Sequence, residues 1–425
     1  MLKEYHFIGC CMLTVMALWR RTTFGNTSTM RCRRLPKTRF RSIALASLFA
    51  LLAALAKACP FCSALSNTLT ENLAESEVAG LAICVAPAIL TDTDALPIHR
   101  FRILQVIKGD RKLVGRTFEV VSFKPFERQE VSFLVGVGEG NQIDWAPSAP
   151  VSNLAQEYLR SLVFVPADGP ERLEFFLSSL DSPDRMVADD AYNEFARAPL
   201  KDLIALKPKL DRERIIDRIN DAGTSRDYRR LYWTLLGICG QSSDVKIVEE
   251  AIRKRSVSDH NSLGMDAAFS CYLSLGGEAA LQQIEKNYFA NPAADYVDCY
   301  AAILAIRVQS EEIKQFPSER LKVAFRIVLE RGELADLVIP DLARWEDWSI
   351  VDRVEELFKQ TEQATQYVKL PIINYLRVCP TPEAVLALER CARLDPSAVR
   401  RAETMFPLVK RKATEEVREE AEDKK

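Results

Sequence analysis

Histidine is scarce in this chain, with only His6, His99 and His260 among its 425 residues. Histidine is the side chain most often used for proton transfer at neutral pH and a very common metal ligand. The sequence also lacks G-x-x-x-x-G-K-[ST], G-x-S-x-G, H-E-x-x-H and the EF-hand loop, which bind phosphates, activate serine, hold zinc or bind calcium. These absences predict a non-enzymatic protein with no catalytic residue, no cofactor and no metal.

Acidic side chains are nearly missing from the N-terminal segment and abundant elsewhere. Residues 1–58 carry ten basic side chains and one acidic one, whereas the rest of the chain carries 47 basic and 58 acidic side chains. The net charge of that larger part is therefore −11. Because an acidic surface repels phosphate backbones, nucleic acid is not expected as a partner.

No apolar run around the basic cluster reaches the length of about 20 residues that a transmembrane helix needs. Residues 42–56 read SIALASLFALLAALA, follow a basic stretch and precede an Ala-Lys-Ala site at 56–58. This order predicts a secretory signal peptide cleaved near Ala58, and hence a periplasmic, cell-surface or secreted protein. A membrane-anchored protein is the alternative, if segment 42–56 stays uncleaved.

The first 29 residues lie upstream of that signal. A start at Met30 would leave a signal peptide of ordinary form, so we interpret residues 1–29 as a mis-assigned start. The alternative is a genuine leader with two hydrophobic stretches, because residues 7–18 are also apolar.

Cys59-Pro60-Phe61-Cys62 is the sharpest chemical motif. Such a pair suits a thiol–disulfide oxidoreductase when it follows a strand, but nothing precedes Cys59 in the expected mature chain. Zinc needs four ligands, of which this pair supplies two. The favoured interpretation is a structural disulfide, with Cys84 as a candidate partner. Redox activity, a metal site and a lipid anchor remain alternatives.

Five later cysteines lie in apolar helical patterns, which predicts buried thiols: Cys239, Cys271, Cys299, Cys379 and Cys391.

Residues 59–166 are predicted to form a small β domain. Residues 68–76 predict a short helix, and a glycine cluster at 136–140 predicts a hairpin loop. Four short apolar or alternating segments predict strands at 78–88, 101–108, 116–123 and 130–137. Strands at this spacing favour a small barrel or sandwich.

The order of segments in this domain resembles a known family. Cysteines and a helical stretch are followed by a strand and then by FRILQVIKGD, GRTFEVVSF and SFLVGV, with residues 101–109 matching best. This order is similar to the netrin-like domains related to tissue inhibitors of metalloproteinases. The resemblance implies an OB-type barrel, and a protease inhibitor whose mature N-terminus at Cys59 approaches a metal site. The sequence departs from the family in its C-P-F-C spacing, where the family has C-x-C.

From residue 167 to 410 the apolar spacing becomes helical. Comparable helix starts recur at intervals of 42, 35 and 34 residues, then once more further on: Asp184, Arg226, Asn261, Asp295 and Thr365. This is close to the period of roughly 40 residues in HEAT and armadillo arrays, and residues 184–196 are similar to the first helix of a HEAT repeat. An irregular helical bundle is the alternative, and residues 411–425 predict a charged tail.

The predicted fold class is therefore α+β and multidomain, with a small OB-like β-barrel followed by an all-α HEAT/armadillo-like repeat domain.

Trp345 and Trp348 flank Glu346 and Asp347. They form either an exposed peptide or sugar platform or, as we favour, rings packed between repeats with Asp347 capping the next helix. Asp189 and Asp190 are adjacent, so on a helix they point to different faces and do not form a glycosidase pair.

The function predicted from these features is that of an exported scaffold, which binds a protein partner through its helical-repeat surface. Trp345 and Trp348 are its possible interaction surface. Two alternatives remain, a thiol–disulfide redox protein acting through Cys59 and Cys62, and a netrin-like protease inhibitor.

Overall fold

The computed structural model describes residues 66–88, 96–138, 142–254, 264–361 and 367–406. Within them a curled five-stranded antiparallel sheet is followed by a long series of helices, which confirms the α+β layout. The predicted signal peptide, the Cys59–Cys62 motif and the charged tail lie outside the described residues.

The sheet is a half-barrel in which every neighbouring pair of strands is antiparallel. Its strands are β1 (Val78–Ala86), β2 (Ile98–Lys108), β3 (Thr117–Val121), β4 (Val131–Val137) and β5 (Asp144–Pro150). Their order is β3-β2-β1-β4-β5. The two edge strands approach each other, because the ring centroids of Phe118 and Trp145 are 5.3 Å apart.

The sequence predicted β1 to β4 but missed β5. The missed strand contains Pro147 and Pro150, which have no N–H to donate to a neighbouring strand. Proline is tolerated in an edge strand, where one side of the backbone is unpaired. The two prolines therefore argued against a strand in the sequence, although an edge strand such as β5 can contain them.

β1 is the central strand and is buried on both faces. Val78, Ala82 and Cys84 face the interior of the half-barrel, whereas Ala79 and Leu81 join the apolar core shared with the helices. A strand covered on both sides is apolar throughout instead of alternating. This explains why its sequence reads as a continuous apolar run.

Gly80 allows the sheet to curl at β1. The pairing of β1 with β2 shifts register beside Gly80, and a Cβ at this position would overlap the backbone oxygen of Gln105. A residue without a side chain is needed where two backbones approach this closely.

Two helices pack on the outer face of the sheet. The helix α1 (Leu69–Glu75) begins with a capping box, in which Thr68 Oγ1 accepts from the Glu71 N–H and the Glu71 carboxylate accepts from the Thr68 N–H. The helix α2 (Asn153–Ser161) follows β5 and is capped by Ser152. The sequence predicted α1, but α2 lies inside the segment expected to be β domain.

The remaining helices form an array that fills the rest of the described chain. They are α3 (Pro170–Leu177), α4 (Arg185–Arg197), α5 (Leu200–Ala205), α6 (Arg212–Asn220), α7 (Arg226–Cys239), α8 (Val245–Lys254), α9 (Met265–Ile284), α10 (Tyr296–Val308), α11 (Ser318–Leu329), α12 (Ala335–Arg344), α13 (Val351–Gln360), α14 (Lys369–Val378), α15 (Pro382–Leu394) and α16 (Pro396–Met405). The helix α9 bends at Gly277, whose φ is +55°.

All five helix starts expected from the sequence lie within four residues of observed ones, the starts of α4, α7, α9, α10 and α14. The long interval between the last two expected starts contains α11, α12 and α13, and the pattern gave no start for α11 or α12. Pro340 lies inside α12 and argues against a helix at the level of sequence.

One apolar core runs from the outer face of the sheet through the array, and a separate core fills the half-barrel.

Candidate functional site

Buried carboxylates recur where one pair of helices packs on the next. Each is held by an arginine from a neighbouring pair, and we call these ion pairs the joint pairs: Arg212–Asp244, Arg230–Asp266, Arg307–Asp341, Arg326–Asp347 and Arg390–Glu355. None of the five carboxylate side chains is more than 7% exposed. A carboxylate removed from water in this way needs such a partner to stay ionised.

Four joint pairs span 32 to 36 residues of sequence. This separation is close to two of the three intervals between the expected helix starts, 35 and 34 residues. The hydrogen bond from Arg390 lowers the pKa of Glu355 to about 2. Glu355 therefore stays ionised near neutral pH as a fixed partner of Arg390.

Asp189 and Asp190 point to different faces of α4, as the helical spacing predicts. Asp189 is half-exposed, pairs with Arg185 at 3.2 Å and accepts from the Tyr228 hydroxyl at 3.3 Å. Asp190 is buried and accepts from the Leu69 N–H at 2.6 Å and the Tyr158 hydroxyl at 2.7 Å. Burial raises the pKa of Asp190 to about 6.

Asp190 belongs to a polar stripe that attaches α1 to α4, which we call the α1–α4 junction. Thr70 Oγ1 donates to Glu194 Oε1 at 2.5 Å, and Arg197 pairs with Glu71 at 3.2 Å. Arg172 on α3 closes the group by pairing with Glu194 at 2.8 Å. The junction thus joins three consecutive residues at the start of α1 to three residues on one face of α4.

Cys84 is a fully buried thiol inside the half-barrel. Burial raises its pKa, which makes the reactive thiolate rarer. Because Cys59 and Cys62 lie outside the described residues, the disulfide and the redox hypothesis both stay predictions. Of the five array cysteines, four are buried and Cys239 is half-buried, and all are free thiols.

His99 is buried and uses both ring nitrogens for structure. Its Nδ1 accepts from the Ala88 N–H at 3.1 Å, and its Nε2 donates to the Ser122 carbonyl at 3.0 Å. The ring also packs edge-on against Phe126, with centroids 5.0 Å apart. Both ring nitrogens of His99 are therefore occupied by hydrogen bonds within the half-barrel.

Trp345 and Trp348 are half-buried and pack between helices. Trp345 stacks on Phe325 with centroids 4.8 Å apart, and Trp348 packs against Tyr375 at 5.5 Å. Asp347 between them is buried, pairs with Arg326 at 2.7 Å and accepts from the Ser349 N–H at the start of the next helical turn. This arrangement corresponds to the favoured interpretation of the two rings.

A cleft of about 510 Å³ opens beside α4, α6 and α7, and we call it the N-terminal cleft. Its walls carry aromatic and charged side chains of both signs: Asp181, Arg185, Asp189, Arg218, Tyr228 and Tyr232. Asp181 accepts from the Tyr232 hydroxyl at 2.7 Å and pairs with Arg218 at 2.8 Å. Tyr228 stacks on Tyr192 with centroids 4.9 Å apart, so the walls of the cleft are held in place.

A second cleft of about 520 Å³ lies beside α8, α9 and α10. Glu249, Tyr272, Asn287 and Asp295 are among its lining residues, and the Tyr272 hydroxyl donates to Glu249 at 2.8 Å. Sequence reasoning identified neither cleft. The tyrosines spaced four apart in α7 were a usable signal for the first, because they place two aromatic rings on one helix face.

Neither a protein-family model, nor a curated protein, nor a solved structure matches this sequence. Across the described ranges, no helix has the length and apolarity needed to cross a membrane. The same residues contain no group of three or more His, Cys, Asp and Glu side chains placed to hold a metal ion.

Proposed function

We propose that this chain is an exported, non-enzymatic protein that binds a polypeptide partner on its array of helices. The N-terminal cleft is the observation that carries the proposal. Tyr228 and Tyr232 present amphipathic rings beside arginines and carboxylates, and tyrosine and arginine are among the residues enriched at protein–protein contact sites. A partner segment with both apolar and charged groups fits such a surface better than a single small ion does.

Export rests on the segment that ends at Ala58. The basic stretch, the apolar run at 42–56 and the Ala-Lys-Ala site support cleavage before Cys59. The protein's mass should be measured without reduction after recovery from its native host. A mature chain that starts at Cys59 supports export. A chain that retains residues 1–58, with Cys59 and Cys62 as free thiols, rules it out.

We infer that the half-barrel is of the OB type and that the array is HEAT-like. The strand order β3-β2-β1-β4-β5, with β3 and β5 approaching each other, supports a five-stranded Greek-key barrel. The recurring helix starts and the joint pairs at 32 to 36 residues support stacked repeats, since each repeat contacts its neighbours in an equivalent way.

Polypeptide binding at the N-terminal cleft is tested by reversing one charge at its rim. The Arg185 side chain is 92% exposed, so Arg185→Glu should leave the fold intact. Chemical cross-linking of the mature protein in its native host should yield a defined partner, whose recovery falls several-fold with Arg185→Glu. The matched control is Arg401→Glu on the exposed surface of α16. Equal recovery with both variants would show that the cleft is not the binding surface.

Netrin-like protease inhibition is the second candidate, and the strand order together with the helix before β1 favours it. The mature chain starting at Cys59 is assayed against a zinc endopeptidase, beside a matched chain that carries one extra alanine before Cys59. Inhibition by the first chain alone supports this function. The extra alanine converts the α-amine of Cys59 into a peptide N–H, which cannot bind the metal. The absence of inhibition by both chains excludes it for that enzyme.

A further inference from the structure

A third cavity, of about 200 Å³, lies between α5, α7 and α9, and we call it the Trp233 cavity. The segment that follows α10 completes its wall. Much of the lining is aliphatic and comes from different parts of the chain, namely Leu200, Ile204, Ile238 and Ile313. The cavity shares no residue with the N-terminal cleft, although α7 contributes to both.

Contacts between the elements hold the walls of this cavity in place. Gly237 lets α7 pack closely on α9, because a Cβ at this position would lie 3.3 Å from the Cys271 Cα. Gln309, the first residue after α10, is fully buried, and its Nε2 donates to Ser274 Oγ at 3.1 Å. This bond ties the segment after α10 to α9. The cavity is therefore formed before any ligand enters it, as is usual for small-molecule sites.

Trp233 places a donor without an acceptor on the wall of the cavity. The residue is 4% exposed, and its indole N–H makes no hydrogen bond to a described residue. The nitrogen is not enclosed by protein atoms, in contrast to the indole nitrogen of Trp145. A buried indole N–H usually has a hydrogen-bond partner, and the lack of one is unfavourable. An acceptor brought into the cavity by a ligand would supply that partner.

Lys207 is the charged residue of the lining. It lies two residues after α5, is exposed, and pairs with no carboxylate in the part of the chain that the structure describes. Its neighbour Lys209, in contrast, pairs with Glu174 at 2.6 Å. The residues that line the cavity include no aspartate or glutamate. A cation at the rim of an apolar cavity without acids attracts a negatively charged group.

We propose that the Trp233 cavity binds a small organic carboxylate with a compact apolar body. The carboxylate accepts from the Lys207 ammonium and the Trp233 N–H, and the aliphatic walls cover the apolar body. Because an apolar cavity of about 150 Å³ holds benzene, this one accommodates about ten non-hydrogen atoms, the size of phenylacetate. An inorganic anion would leave the aliphatic walls uncovered, and Lys207 would repel a cation. Binding here is independent of a polypeptide in the N-terminal cleft.

The test follows the indole N–H resonance of Trp233 in the isotope-labelled full-length protein, identified by its loss in Trp233→Phe. We expect phenylacetate and octanoate to shift this resonance in a saturable way, while that of Trp145 in the half-barrel stays in place. In calorimetry, Lys207→Gln should raise the Kd about tenfold, since it removes a charge-assisted hydrogen bond. The matched control Lys201→Gln removes the same charge from an exposed position of α5 outside the cavity and should leave the Kd unchanged.

Phenylacetamide has the shape of phenylacetate without its charge, and it should bind about tenfold more weakly. Equal affinities for the two ligands would overturn the proposal, since the cavity would then only cover apolar surface. An equal loss of affinity in Lys201→Gln and Lys207→Gln would overturn it too, because net charge alone would account for binding. The same conclusion follows if neither acid shifts the Trp233 resonance saturably at millimolar concentration. Both lysines are exposed, so the two variants should unfold like wild type.

Discussion

The half-barrel and the array hold their neighbouring elements in register by different means. Adjacent strands are linked by backbone hydrogen bonds, and the ion pair across the described strands, Arg100–Glu119, has both side chains more than 60% exposed. Adjacent helices in the described part of the chain share no backbone hydrogen bonds, and there the buried joint pairs recur. Directional contacts between helices must come from side chains, so the array depends on buried charge where the sheet depends on its backbone.

The largest expected effect is the loss of a joint pair. Arg230→Leu leaves Asp266 buried without its partner and should lower the free energy of unfolding by about 3–5 kcal/mol. The double variant Arg230→Leu/Asp266→Leu should recover most of this loss, because no unpaired charge remains. Both values come from urea unfolding followed by circular dichroism. A single variant as stable as wild type would show that the joint pairs do not distinguish the array from the sheet.

The α1–α4 junction, where the two regions meet, should respond to pH. The pKa of Asp190 is about 6 in the folded chain against 3.8 for a free aspartate, so the folded state holds a proton that the unfolded state has lost between these values. Stability from this group is therefore greatest at low pH, falls by on the order of 3 kcal/mol as pH rises through that window, and is flat above it.

The Asp190→Asn variant isolates this contribution. Unfolding free energies are measured at several pH values from 4 to 7 for both proteins, and we expect the variant to lack the decline between pH 4 and 6. Arg185→Ala serves as the control, since it alters the exposed pair beside Asp190 without entering the junction. An unchanged slope in Asp190→Asn would place the pH response elsewhere.

A smaller effect is expected inside the half-barrel. Cys84→Ser buries a hydroxyl in an apolar core and should cost about 1–2 kcal/mol, with Cys84→Ala costing less. The measurement also tests the predicted disulfide. If Cys84 is bonded to Cys59 or Cys62 in the exported protein, Cys84→Ala should destabilise the oxidised protein by about 2–4 kcal/mol and the reduced protein much less.

The smallest effect is expected for the exposed pair of the sheet. Arg100→Ala should change the free energy of unfolding by no more than about 0.5 kcal/mol, because water screens an ion pair at this exposure. Glu119→Ala should behave in the same way. A loss comparable to that of Arg230→Leu would remove the contrast between the two regions.

Local patterns account for the elements that the sequence predicted. Strands β1 to β4 follow from short apolar runs between turns, and α1 follows from Thr68 and Glu71, which are three residues apart and cap each other. The expected starts at Asp184 and Arg226 coincide with α4 and α7, because helical periodicity depends on residues three and four apart. Of the missed elements, β5 and α12 contain prolines that are tolerated only in their tertiary setting.

By itself, the sequence separated a β region from a helical region, since apolar periodicity is a local property. It also predicted that Trp345 and Trp348 pack between helices. Only the tertiary structure decided that Asp190 accepts from the Leu69 N–H across 121 residues. Pairings of this kind depend on how helices stack, and stacking is set by the shared core, which leaves no short-range pattern in the chain.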